Sequence, residues 1–159
     1  MDADNTIGRC YDVTRATLHA LFESLYRQGA AYEHTILKVN MVVSGKQCPT
    51  QAGVQEVADE TVRCLLDTVP ASIPGIVFLS GGQSAELATA HLNAMNAGYK
   101  NLPWPLSFSY GRALQAPCLQ AWSGAADNIG KAQAALLHRE KFNSLACLGE
   151  YSEDMEKAA

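Results

Sequence analysis

Thr35-Ile36-Leu37-Lys38-Val39-Asn40-Met41-Val42-Val43 reads as a short β-strand with a lysine at its centre, ending at Ser44-Gly45. Alternation divides it into two faces. Leu37, Val39, Met41 and Val43 form an apolar face, and Ile36, Lys38, Asn40 and Val42 point the other way. An amine on that second face either reaches water or sits in a site that uses it. Partial burial among Ile36 and Val42 would favour the neutral amine, which attacks carbonyls and forms Schiff bases. The plainer reading is an edge-strand lysine that discourages strand-to-strand aggregation.

Outward from this strand, the chain alternates helix and strand. A helix is predicted over Tyr11–Gln28, with Leu18, Leu21, Phe22 and Leu25 at helical spacing and Gly29 as its stop. A second is predicted over Val54–Val69. Gly75-Ile76-Val77-Phe78-Leu79 is nearly all apolar, the pattern of a strand buried on both faces. It runs into Ser80-Gly81-Gly82-Gln83-Ser84 and a helix over Ala85–Asn96. Leu106-Ser107-Phe108-Ser109-Tyr110 is a third strand, followed at once by Gly111-Arg112. The helical stretch Ala113–Trp122 is expected to break at Pro117. A last helix covers Asp127–Leu145, and residues 150–159 are expected to fray. Trp104 and Trp122 are expected in the core.

Strands alternating with amphipathic helices predict parallel strands joined by helical crossovers. Three strands fall short of the eight in a (β/α)8 barrel of roughly 250 residues. The 159 residues, 48% hydrophobic and 18% charged, suit one domain of ordinary size. Net charge is −4 and the sequence pI about 5.5, which argues against a nucleic-acid surface. No apolar run is long enough for a membrane span. The start, Met1-Asp2-Ala3-Asp4, has no signal-peptide pattern. Five cysteines, an odd number without a CxxC, fit buried thiols in the cytoplasm better than disulfides or zinc. No pair among His19, His34, His91 and His138 is spaced as metal ligands, so no metal is expected.

In parallel α/β folds, ligands collect at the carboxyl ends of the strands. Those ends carry Lys38 with Asn40, then Ser80-Gly81-Gly82, then Ser109-Tyr110-Gly111-Arg112. Two glycines let the backbone approach a ligand, and a helix start offers free amides to an anion. An arginine beside a glycine suits bidentate contact with a phosphate. Each alone is an ordinary turn; together they outline an amine nucleophile flanked by two anion-binding loops.

These residues carry a resemblance. The lysine strand, "GIVFLSGGQS" at 75–84, "FSYGRALQ" at 108–115, "NSLACLGEY" at 143–151 and Arg9-Cys10 together resemble class I fructose-bisphosphate aldolases. The resemblance covers nearly the whole chain, motif by motif in order. It implies a partial (β/α)8 TIM barrel in residues 1–159, made of the last three βα units. It implies that Lys38 is the Schiff-base lysine. It also implies that Ser80, Gly81, Gly82, Ser109, Gly111 and Arg112 hold a substrate phosphate. Class I chemistry needs no cofactor, because the protonated imine is the electron sink. The implied reaction is glycolytic cleavage of fructose 1,6-bisphosphate, and the implied partners are a sugar phosphate and a homo-oligomer or a chain completing the barrel.

The chain departs from the family pattern at Val39, where proline is usual, at His34, where glycine is usual, and at Pro117. The first five barrel strands, with their acid–base carboxylates and further lysines, and the tyrosine-ended C-terminal extension have no counterpart here. The alternative expectation is therefore a truncated, non-catalytic segment that binds phosphate or serves assembly.

Overall fold

The computed structural model describes residues 2–157. Three strands, β1 (Leu37–Val39), β2 (Ile76–Phe78) and β3 (Leu106–Phe108), form one parallel sheet in the order β1-β2-β3. The register sets Lys38 beside Val77 and Val77 beside Ser107. The chain also forms five longer helices: α1 (Ile7–Arg27), α2 (Val54–Thr68), α3 (Ala85–Gly98), α4 (Arg112–Trp122) and α5 (Ile129–Leu148). A short α6 (Asp154–Lys157) follows.

The crossovers form where the sequence supplies caps. Thr6 accepts from the Arg9 N–H at the start of α1, and Ser84 accepts from the Leu87 N–H at the start of α3. Gly149 closes α5 in the left-handed region at φ +75°, the usual glycine stop. A Cβ there would come within 2.8 Å of the Ala97 backbone nitrogen, so glycine also lets α5 end against α3.

The sheet is one-sided. Leu37, Val39, Ile76, Phe78 and Leu106 are buried in a core shared with Val57, Leu65, Leu92, Met95, Ala146 and Phe142. Burying a side chain of this size stabilises by about 1.5–3 kcal/mol. Lys38, between Leu37 and Val39, is exposed, and Ile36 is 57% exposed. Val77, between two fully buried neighbours, is only partly buried. The expectation that β2 is covered on both faces is therefore corrected: helices cover one face and the other is open.

Four further expectations change. Val42 does not share an exposed face with Lys38; past the three-residue strand the chain turns, and Val42 is buried with its N–H donating to Thr61 Oγ1 at 2.9 Å. Helix α4 runs through Pro117 without a break, giving up only the bond that residue cannot donate. Trp104 is buried and donates to the Pro70 carbonyl at 3.0 Å, but Trp122 is 42% exposed at the end of α4. Residues 150–157, expected to fray, pack onto α3 and α5: Tyr151 is buried, and its N–H donates to Asn93 Oδ1 at 2.9 Å. Residues 158–159 of that expected tail lie outside the described residues.

Candidate active site

The carboxyl end of the sheet is organised by Gln83. Its N–H donates to the Ser80 carbonyl at 3.0 Å and closes the turn that contains Gly81 and Gly82. Its side-chain amide donates to the same carbonyl at 3.0 Å and to Met41 Sδ at 3.6 Å. Its Oε1 lies 2.5 Å from His91 Nδ1. One side chain thereby ties the end of β2 to the chain after β1 and to α3. Gly81 and Gly82 both take positive φ, 58° and 78°, conformations that cost other residues about 1–2 kcal/mol.

Because the Gln83 amide nitrogen is a donor here, Oε1 is the acceptor and His91 Nδ1 carries the proton. His91 is 2% exposed, and its Nε2 is buried without a partner. Burial lowers its pKa to about 4, so the ring is neutral near pH 7. A cavity of about 190 Å³ runs beside this group, lined by Lys46, Gln51, Gly81, Gly82, Ser84 and His91 among others.

The third strand end meets the second. The Ser109 N–H donates to the Phe78 carbonyl at 2.8 Å, and buried Tyr110 donates its hydroxyl to the Ala88 carbonyl at 2.8 Å. This fixes exposed Gly111 and Arg112, the start of α4, over the glycine loop. A Cβ on Gly82 would lie 3.8 Å from Arg112 Nη2 and 3.0 Å from Lys46 Nζ. Two cations thus converge on the glycine turn that leads into α3, where helix-start amides point outward. Such an arrangement can hold an oxyanion.

Lys46 is exposed, and it is carried there by a loop clamped to the N-terminal segment. Gly45 N–H donates to the Asn5 carbonyl at 2.8 Å and Gln47 N–H to the Ala3 carbonyl at 3.0 Å. A Cβ on Gly45 would overlap the Ala3 carbonyl oxygen at 2.1 Å, so only glycine permits this approach. No local pattern in the sequence could have signalled a contact made across that distance.

Comparison with known proteins bears directly on this geometry. The family description "Fructose-bisphosphate aldolase class-I" matches residues 1–159. This chain belongs to that family. It is 57% identical over 152 residues to "Probable fructose-bisphosphate aldolase class 1" of Xanthomonas campestris pv. campestris, covering 95% of this chain and 45% of that protein. It is 50% identical over 150 residues to "Fructose-bisphosphate aldolase B" of Gallus gallus, covering 94% of this chain and 41% of that one. The fold matches a solved fructose-bisphosphate aldolase from Plasmodium falciparum, in complex with TRAP and a small-molecule inhibitor, at a TM-score of 0.92 and 46% identity. That match covers 95% of this chain and 43% of the other. The chain therefore spans less than half the length of these aldolases, and its open sheet is part of an aldolase TIM barrel.

Within this aldolase segment, the expected site residues fall into two groups. Gly82 and Arg112 lie together, with Ser80 buried beneath the turn, Gly81 on it, and Ser109 and Gly111 on the adjoining strand end. Lys38 stands on the open face of β1, opposite Val77, three residues before Ser80. Within these three strands Lys38 has no partly apolar pocket around it: Lys38 and Ile36 are exposed, and Val42 is buried away from them with its N–H on Thr61. Asn40, at the same strand end, is used structurally: its Nδ2 donates to Thr14 Oγ1 at 3.2 Å and to the Met41 carbonyl at 3.0 Å. Among the described residues, no cluster of His, Cys, Asp or Glu is arranged to hold a metal ion, and no helix is long and apolar enough to cross a membrane.

Proposed function

We propose that the protein serves Schiff-base aldol cleavage of fructose 1,6-bisphosphate to triose phosphates, with Lys38 as the nucleophile. The observation that carries this reading is an exposed lysine on the open face of the sheet, on the strand beside a glycine loop flanked by Arg112. Lys38 Nζ adds to the ketone carbon of the sugar phosphate, and loss of water gives the iminium. That iminium accepts the electron pair released when the carbon–carbon bond breaks, leaving an enamine. Ser80, Gly81, Gly82, Ser109, Gly111 and Arg112 would hold the phosphate nearest the ketone. The family resemblance assigns the proton transfers to carboxylates on barrel strands outside these three.

In this reading the open edges of β1 and β3 pair with further strands of the barrel, on this polypeptide or another. Exposed Leu119 and Trp122 on α4 and Ile129 and Leu137 on α5 support an assembled state. The site would work in the cytoplasm, in keeping with five free thiols and no disulfide among the described residues.

The test is reductive trapping. Dihydroxyacetone phosphate and borohydride are added together, and the product is mapped by mass spectrometry. A single phosphate-dependent adduct on Lys38 is expected, formed slowly. Adducts spread over Lys46, Lys100 and Lys131 with no preference for Lys38 would overturn the enzymatic reading. Arg112→Ala should remove most binding of the phosphate, since a charge-assisted contact contributes about 1.5–3 kcal/mol.

A further inference from the structure

The Lys46 amine is placed by three independent contacts: the Gly45 and Gln47 backbone bonds to the N-terminal segment, an ion pair with Asp2 at 3.2 Å, and its approach to Gly82. A Cβ on Gly82 would lie 3.0 Å from Lys46 Nζ and 3.1 Å from its Cε. Glycine at this position therefore leaves room for the lysine as well as for the turn. Arg112 approaches the same point from the opposite strand end. Asp2 is the one carboxylate ion-paired with Lys46 among the described residues. The Lys46 ammonium, by hydrogen bond and by charge, holds the Asp2 carboxyl below the ordinary aspartate range, and Arg112 adds to this.

We propose that Lys46 is the second cation of the anion site at the Gly81–Gly82 loop, and that Asp2 is an internal counter-ion which a phosphate displaces. The proposal rests on the phosphate reading of this loop given above. It adds a residue which that reading did not contain and assigns the site a competitor. Two cations of different geometry suit a dianionic phosphoryl group: the planar guanidinium offers paired donors, and the ammonium a compact point charge. The Asp2 carboxylate, mostly solvent-exposed, holds the amine in position while the site is empty. It also opposes an entering anion, so binding and release are balanced within one loop cluster.

The experiment is titration calorimetry of the full chain with inorganic phosphate and, separately, with dihydroxyacetone phosphate, at low ionic strength. The variants are Lys46→Gln, Asp2→Asn, Arg112→Ala and Lys100→Gln. Lys46→Gln should weaken both ligands about threefold to tenfold, within the range for a partly exposed charged contact. Asp2→Asn should tighten both by about twofold to fivefold, because it removes the competitor and leaves the amine. Lys100→Gln, just past the C-terminal end of α3 and so at the opposite end of that helix from the glycine loop, should change neither. Binding lost in Arg112→Ala but unchanged in Lys46→Gln overturns this proposal and leaves the phosphate loop standing. Equal weakening by Lys46→Gln and Lys100→Gln would reduce the effect to overall charge and also overturn it. Weaker or unchanged binding in Asp2→Asn overturns the counter-ion role. No binding to the unsubstituted chain overturns the phosphate reading together with the proposal.

Discussion

Buried Arg139 on α5 and partly buried Glu156 on α6 form an ion pair, with Nη1 donating to Oε1 at 2.5 Å. Arg139 Nη2 also donates to Thr89 Oγ1 at 2.6 Å and to the Ala85 carbonyl at 3.2 Å on α3. Glu156 further accepts from the Tyr151 hydroxyl at 3.0 Å and lies 3.0 Å from His138 Nε2. One guanidinium therefore fastens the C-terminal segment to the helix that begins at the glycine loop.

Glu156→Ala should be costly, because it leaves the Arg139 charge buried without its carboxylate. For a fully buried pair that cost is about 3–5 kcal/mol, and for this partly buried one we expect about 2–3 kcal/mol. Urea unfolding should show the loss, and amide exchange should show residues 150–157 released first. A change under about 0.5 kcal/mol would mean that α6 contributes nothing to the fold.

The same pair predicts acid sensitivity. Burial alone would raise the Glu156 pKa, but hydrogen bonds from Arg139, His138 and Tyr151 outweigh it and hold the carboxyl below its ordinary value of 4.5. A depressed carboxylate contributes stability above its unfolded pKa and loses it as pH falls through the folded one. Docking of α6 should therefore persist at pH 5 and fail progressively below about 4.5. Tyr151 fluorescence or amide exchange against pH reads this directly. Release of the segment already at pH 6 would contradict it.

His91 predicts a separate window. Its folded pKa is about 4 against an ordinary value of 6.5, so the unfolded chain binds a proton first as pH falls. Stability contributed by this site is unaffected above about 6.5 and declines between 6.5 and 4, by about 3 kcal/mol in all. His91→Asn should flatten the stability profile over that range by nearly one proton. Equal slopes in the two proteins would show that the imidazole charges freely in the folded state.

Two glycines separate backbone strain from crowding. Gly29 and Gly149 share a left-handed conformation, φ 69° and 75°. A Cβ on Gly29 meets nothing within 4 Å, whereas one on Gly149 meets the Ala97 and Asn96 backbone at 2.8–3.0 Å. Gly29→Ala should cost about 1 kcal/mol. Gly149→Ala should cost at least twice that, since α5 must move away from α3. Thermal unfolding of the two variants tests the order, and equal losses would mean that the α3–α5 approach is loose.

The sequence by itself determined the alternation of helix and strand, the parallel sheet and the identity of its strand ends. Those features are local: the apolar run at 76–79, the alternation at 106–110 and the glycine pair at 81–82 each act over a few residues. Family membership was legible for the same reason, since the motifs around Lys38, Ser80 and Arg112 are contiguous in the chain. Only the tertiary structure decided which face of the sheet is covered. An apolar strand reads alike whether one or both sides are buried, and Val77 shows that one is. Pro117 and Trp122 went the other way from their local expectation because helix continuity and burial depend on what the neighbouring helices leave open. Residues 150–157 read as a polar tail, yet they dock, because Arg139 and Asn93, distant in sequence, satisfy Glu156 and the Tyr151 N–H. The convergence of Lys46 with Arg112 at Gly82 is the clearest case. It brings together positions 46, 82 and 112 through three separate strand ends, and no pattern within any one of them encodes that meeting.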